Sequence, residues 1–137
     1  MISRNDIRVV PRSYARGALL KAREFVEIAD TAVSTSRWNG AGLASIHAGI
    51  CAADAALIAA AGVRSASKDH GAVLELLRER VIEFSSIQQR QLAGLLQKKN
   101  SVAYDQRLVT DVEARQLFDQ AQRLVAWARD VVDAHIG

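Results

Sequence analysis

Three polar side chains share one face of a long alanine-rich segment. His47, Cys51 and Asp54 follow one another at spacings of four and three residues, which places them on one side of a helix. A carboxylate beside an imidazole orients the ring and raises its pKa, so this trio is suited to proton transfer. In the structural alternative, Cys51 packs as a small apolar residue and His47 bonds to a backbone carbonyl. Because an ionised carboxylate among alanines is costly unless paired, we expect Asp54 to contact a polar side chain of another helix.

A second group of candidate residues lies in the segment 98–105, which reads Lys-Lys-Asn-Ser-Val-Ala-Tyr-Asp. Lys98 and Lys99 supply positive charge for a phosphate, and Asn100 and Tyr104 supply hydrogen bonds. A tyrosine ring can also stack on an unpaired base. In the alternative, the lysines are a solvated pair at a helix C-terminus, where the helix dipole favours them. We expect this segment to contact nucleic acid and to contain the partner of Asp54.

Other kinds of chemistry lack the residues that they need. The chain has three histidines and one cysteine, and it contains no His-Glu-x-x-His pair, no glycine-rich phosphate loop and no nucleophile elbow. We therefore expect no metal and no cofactor. One cysteine cannot form an intrachain disulfide, and it suits a reducing cytosol.

Positive charge is concentrated near the N-terminus of a chain whose net charge is +3. Before Glu24, Asp6 alone opposes six cations, which are Arg4, Arg8, Arg12, Arg16, Lys21 and Arg23. This pattern predicts a basic arm over about residues 1–12, with Arg12 and Arg16 as further phosphate contacts, or else a solvated terminus. No apolar stretch follows the arginines, so we expect no secretory signal and a cytoplasmic protein.

Composition predicts one all-α domain over residues 1–137. Half of the residues are hydrophobic, only 5% are aromatic and one is proline. This balance favours helices and disfavours a β-sandwich. Five apolar stripes on a chain of this length predict an antiparallel up-down bundle of about five helices.

Local signals predict where the helices begin and end. We expect starts near Pro11 or Ser13, at Asn39, at Ser67 or Asp69, at Ser86, and at Thr110, where Glu113 completes a capping box. The predicted ends are Ser34-Thr35-Ser36, then Gly62 as a left-handed stop, and about Leu96. Residues 64–68 are expected to form a polar loop. The inner face of the third helix is predicted to be Val73, Leu74, Leu77 and Val81.

The second predicted helix is apolar enough to be compared with a membrane span. Residues 43–63 have about the length that a bilayer requires. However, the stretch is mainly Ala and Gly, and Asp54 near its middle would cost about 2.5–3.5 kcal/mol on insertion. We therefore expect a buried core helix and no membrane contact.

Three short motifs occur in a fixed order along the chain. They are Ile46–Leu57 with its single acidic residue, Lys68-Asp69-His70, and Lys99-Asn100-Ser101-Val102-Ala103-Tyr104. In this order, the segment from about Tyr14 to Ala128 resembles the HEPN family of small prokaryotic helical domains. The first motif is similar to the family's second helix, with its acidic residue at Asp54. The second resembles the Lys-x-His that opens the third helix, and the third lies where active members carry an Arg-Asn-x-x-x-His ribonuclease motif.

This resemblance implies a helical homodimer that works with a nucleotidyltransferase or an antitoxin in a toxin–antitoxin or defence locus. The family's nucleases need no metal and use their Arg and His at the dimer interface. Here Lys99 replaces the arginine and Tyr104 replaces the histidine. A phenol, whose ordinary pKa is about 10, is a poor general base near neutral pH. Lysine can neutralise a phosphate but lacks the fork geometry of arginine.

The sequence leaves three functions open. The first is a weak or inactive HEPN-like module that binds RNA or a nucleotide phosphate. The second is an active, metal-independent ribonuclease toxin with Lys99, Tyr104 and Asp54 as its catalytic set. In that reading, Lys99 stabilises the phosphorane and Tyr104 positions or protonates an oxygen. The third is a structural bundle whose groove binds a partner helix without nucleic acid.

Overall fold

The computed structural model describes residues 7–67 and 69–137. Within those ranges the chain forms an all-α bundle of five helices with one small antiparallel sheet, which confirms the predicted fold class. The elements in chain order are β1 (Ile7–Val9), α1 (Tyr14–Ser34), α2 (Trp38–Ala61), β2 (Val63–Ser65), α3 (His70–Arg80), α4 (Ser86–Tyr104) and α5 (Asp111–Ile136).

Helix α2 is the centre of the bundle and packs against α1, α3, α4 and α5. Small residues occupy most of its surface, so its neighbours approach closely. A Cβ atom added at Gly49 would lie 2.5 Å from Cδ1 of Leu95 on α4. By length and composition α2 could cross a membrane, and 67% of its most apolar stretch is buried inside the bundle. A helix that is apolar all round is expected at the centre of a core.

The core is built from aliphatic side chains of all five helices. Among its largest fully buried members are Ile46, Leu57, Leu76, Leu77, Leu92, Leu95 and Leu124. The predicted inner face of α3 is partly wrong. Leu77 and Val81 are buried as expected, but Leu76 takes the place predicted for Val73 and Leu74, which are half-buried.

Several predicted helix ends agree with the structure. Gly62 follows α2 with a φ of 65°, in the left-handed region where glycine is favoured, and its N–H donates to Ile58 O. Asp69 caps α3 by accepting from Gly71 N, and Thr110 caps α5 by accepting from Glu113 N. These signals are local, so they act wherever the helix is placed.

Other predicted boundaries are wrong. Arg37 is the N-cap of α2, and Asn39 lies inside the helix, where its Oδ1 accepts from Val109 N at 2.9 Å. Helix α4 runs past Leu96 to Tyr104, because the half-buried Val102 gives its last turns a contact with the core. A capping box of Ser85 and Gln88, which we did not predict, fixes its start.

Two segments that were expected to be irregular form the strands of the small sheet. Strand β1 lies in the predicted basic arm and β2 in the predicted polar loop, with Ile7 opposite Ser65 and Val9 opposite Val63. Arg4 and the rest of residues 1–6 lie outside the described residues. Pairing between segments more than fifty residues apart gives both strands hydrogen-bond partners that no local pattern reveals.

Candidate functional site

The way in which α2 ends determines the position of Arg64, the first cationic residue after the helix. Because Gly62 ends the helix in a left-handed conformation, the chain turns directly into β2. β2 then runs beside β1, with Arg64 opposite Arg8. This path brings Arg64 back beside Asp54, two turns earlier on α2.

Four of the predicted site residues, Asp54 of α2 and Lys99, Asn100 and Tyr104 of α4, line one cavity, which we call the α4 cavity. It has a volume of about 740 Å³, within the range of roughly 300–1,000 Å³ typical of small-molecule sites. Its apolar wall includes Leu92 and Leu96. Its charged, amide and phenolic lining residues are Asp54, Arg64, Asp69, Lys99, Asn100 and Tyr104. The fold therefore brings Asp54 into one cavity with Lys99, Asn100 and Tyr104, and adds Arg64.

A second cavity lies on the other side of Asp54, between α1, α2 and β2. This α1 cavity has a volume of about 770 Å³. Its polar lining residues are Ser13, Tyr14, Lys21, Cys51, Asp54 and Arg64. Asp54 and Arg64 line both cavities, so the two cavities adjoin at these side chains.

Asp54 is half-buried and electrostatically unusual. Burial raises the pKa of its carboxyl group from 3.8 to about 6, against the opposing charges of Arg64 and then Lys21. The expected contact with the segment 98–104 is not made. Asp54 has no hydrogen bond or ion pair with any residue that the structure describes. Its compensating charges act from a distance, and they come from β2 and α1.

The three residues of the proposed proton-transfer group separate in the structure. His47 stacks on Phe25, with ring centroids 5.4 Å apart, and it lines neither cavity. Cys51 lines the α1 cavity, and burial followed by the nearby Asp54 raises the pKa of its thiol. A thiol that is kept protonated is a weak nucleophile. Asp54 is therefore the one member of this trio that lies in the α4 cavity.

The two neighbouring lysines lie in different surroundings. Lys99 lines the α4 cavity, whereas Lys98 forms an ion pair with Glu113 on α5, with Nζ 3.1 Å from Oε2. Arg107 binds the other oxygen of Glu113 at 2.9 Å. The hydrogen bond from Arg107 lowers the pKa of Glu113, and the bond from Lys98 acts in the same direction. The Glu113 carboxylate thus links α4 to α5 instead of completing a capping box.

The predicted arginines also lie apart from the α4 cavity. Arg16 forms a long ion pair with Asp133, Nη1 to Oδ1 at 3.7 Å. Arg12 covers Gly62, where an added Cβ would lie 3.6 Å from the arginine Cγ. Besides the predicted Lys99, two cations line the cavities, Lys21 and Arg64, and neither was among the predicted site residues. The helix stop at Gly62 could have indicated that Arg64 lies near the site, because a chain that turns at Gly62 keeps the next residues close to the end of α2.

No family model matches the sequence, and no curated protein matches it.

Among residues 7–67 and 69–137, no group of three His, Cys, Asp or Glu side chains is placed to hold a metal ion.

The α4 cavity combines two cations with two carboxyl groups, those of Asp54 and Asp69. Arg64 and Lys99 provide positive charge from β2 and α4. The side chain of Asp69 is engaged in capping α3, where its Oδ1 accepts from Gly71 N at 3.0 Å. Tyr104 stands at the rim with 79% of its surface exposed, so the face of its ring is open to a ligand.

Proposed function

We propose that this protein is a HEPN-like helical domain that binds RNA or a nucleotide phosphate in the α4 cavity. The observation that carries the proposal is the convergence of Arg64, Lys99 and Asn100 from β2 and α4 on one cavity. Arginine and lysine are the usual partners of phosphate oxygens, and an amide adds hydrogen bonds. The exposed ring of Tyr104 beside them is suited to stacking on a base.

The domain is proposed to act as a weak or inactive module. Lys99 and Tyr104 stand where the resembled family's nucleases have arginine and histidine. A phenol is a poor base near neutral pH, and a single ammonium cannot make the two parallel bonds of a guanidinium. Binding needs only charge, hydrogen bonds and a stacking surface, and all three are present in the cavity.

Binding is tested with a short, fluorescently labelled single-stranded RNA, by anisotropy at several salt concentrations. Because phosphate contacts release counterions, the logarithm of the affinity should fall linearly with that of the salt concentration, by about 0.7 per contact. We expect binding that depends little on sequence and that weakens in Lys99→Ala. RNA affinity that is absent at low salt would refute the proposal and favour the structural bundle.

One observation favours the active ribonuclease as a second candidate. Asp54, with a pKa of about 6, is the kind of group that can accept a proton near neutral pH. It shares its cavity with Arg64 and Lys99, which can stabilise a pentacoordinate phosphorane. In this reading Asp54 takes the proton of a ribose 2′-hydroxyl, and Tyr104 positions or protonates an oxygen.

Cleavage of labelled RNA in EDTA distinguishes the two candidates. The Lys99→Ala variant, purified identically, controls for contaminating nucleases. We expect equal and negligible cleavage by both proteins. Cleavage by the wild type alone would establish the ribonuclease.

We also propose that the protein is a cytoplasmic homodimer that works with a nucleotidyltransferase or an antitoxin. Besides the resemblance, exposed apolar side chains support a contact with another chain. Leu108 and Val112 follow Tyr104 along the chain and are 74% and 61% exposed. Light scattering should give twice the mass of the 14.9 kDa chain, and Leu108→Glu should give a monomer. A wild-type monomer at micromolar concentration would refute the dimer, and co-purification from the host tests for the partner.

A further inference from the structure

We propose that the α4 cavity and the α1 cavity form one cleft that binds a single strand across at least two consecutive nucleotides. The inference rests on the proposed function and specifies its ligand: single-stranded RNA rather than a mononucleotide or a duplex. It assigns a binding role to Tyr14 and Lys21, which line the α1 cavity.

The two cavities adjoin at shared lining residues. Asp54 and Arg64 line both cavities, so a strand that extends from one cavity to the other would pass these side chains. Arg64 is exposed and can neutralise the phosphate that passes between the two cavities. Each cavity, at about 740 and 770 Å³, is large enough for one nucleotide.

The same pair of residue types occurs in each cavity. Lys99 and the 79% exposed Tyr104 line the α4 cavity, while Lys21 and the 62% exposed Tyr14 line the α1 cavity. Proteins that bind single strands combine cations along the backbone path with aromatic rings on which successive bases stack. A mononucleotide can use only one of these pairs.

This arrangement also selects against a duplex. Bases in an A-form helix are stacked on one another and cannot be placed on separate tyrosine rings. A single strand can direct one base to Tyr104 and the next to Tyr14. Asp54 lies where the strand would cross, and the charges of Arg64 and Lys21 offset its own.

The test compares ligands of increasing length by calorimetry at low salt. The probes are uridine monophosphate, the 5′-phosphorylated dinucleotide and tetranucleotide of uridine, and a blunt RNA duplex of eight base pairs. The variants are Lys21→Ala, Tyr14→Ala and, as a matched control on α1, Arg16→Ala. Arg16 is also exposed, but it pairs with Asp133 and lines neither cavity. Circular dichroism verifies that each variant is folded.

We expect the tetranucleotide to bind at least about tenfold more tightly than the monophosphate, since each stacked base contributes about 1–3 kcal/mol. Lys21→Ala and Tyr14→Ala should remove most of this gain, so that the tetranucleotide binds these variants about as weakly as the monophosphate does. The Arg16→Ala variant should behave as the wild type.

The outcomes separate this inference from the function on which it rests. Equal affinities for the monophosphate and the tetranucleotide, with both lost in Lys99→Ala, would overturn the two-nucleotide cleft and keep the phosphate site. Preferential binding of the duplex, or full tetranucleotide affinity in Lys21→Ala and Tyr14→Ala, would also overturn it. Failure to bind any probe would refute the proposed function itself.

Discussion

Arg64 and Asp54 line the same two cavities but form no ion pair with each other. The arginine charge favours the ionised carboxylate from a distance, and burial disfavours it more strongly. Asp54 is therefore held in a position where its negative charge costs stability. Residues whose charge opposes the local energetics are characteristic of functional sites.

Replacing Asp54 with asparagine should make the protein more stable at neutral pH. The folded state raises the carboxyl pKa from 3.8 to about 6. At about pH 3 and below, the group is mostly protonated in both the folded and the unfolded states, so it has little effect there. As the pH rises from 4 to 6, the unfolded chain loses this proton first, and stability falls. At pH 7.5 we expect Asp54→Asn to exceed the wild type by about 1–3 kcal/mol.

Urea denaturation of both proteins at several pH values measures this difference. The advantage of Asp54→Asn should shrink as the pH falls from 6 to 4, be nearly absent at about pH 3, and level off above pH 6. Asp130→Asn is the control, because the Asp130 side chain is 74% exposed and its neutralisation should change little. A less stable Asp54→Asn at pH 7.5 would show that attraction to Arg64 and Lys21 outweighs burial.

Alanine substitutions at Lys98 and Lys99 should affect different properties, protein stability at Lys98 and RNA binding at Lys99. Lys98→Ala removes one of two cations from Glu113, and we expect a loss of roughly 0.5–1 kcal/mol in stability with unchanged RNA affinity. Lys99→Ala should leave stability unchanged and lower the salt slope of RNA binding by about 0.7. Thermal melts and anisotropy on the same preparations check both. Equal loss of RNA affinity in the two variants would contradict the assignment.

How much the sequence could predict depends on how far apart the interacting residues lie. Gly62, Asp69 and Thr110 act on their own helices, and all three were among the predicted ends. Asp69 was one of two alternatives with Ser67, and the predicted capping box at Thr110 lacks its bond to the Glu113 side chain. The position of Arg64 depends on the pairing of β1 with β2, which no local pattern specifies. The sequence could have predicted that Lys98 and Lys99 point in different directions, because neighbouring side chains on a helix point about 100° apart. It was missed because the helix was expected to end near Leu96.

The close approach of α2 and α4 should make Gly49→Ala destabilising. The new methyl group would lie 2.5 Å from Cδ1 of Leu95, which is fully buried, so the leucine side chain would have to shift within the core. Overpacking of this kind costs about 1–3 kcal/mol. Gly40→Ala in the first turn of α2 is the control, since its Cβ meets nothing within 4 Å and alanine favours the helix. Chemical denaturation should show loss of stability at Gly49 and a small gain at Gly40. A neutral Gly49→Ala would mean that Leu95 can repack.

Substitutions of Tyr104 separate a binding module from a ribonuclease. Tyr104→Phe keeps the ring and removes only the hydroxyl group, so a module that stacks a base on the exposed ring should keep most of its RNA affinity. Tyr104→Ala removes the stacking surface and should weaken binding by about 1–3 kcal/mol. Because the side chain is 79% exposed, neither change should lower the melting temperature much. Anisotropy and cleavage assays are performed on both variants. Cleavage by the wild type that disappears in Tyr104→Phe, with affinity intact, would assign the hydroxyl to catalysis and overturn the inactive module.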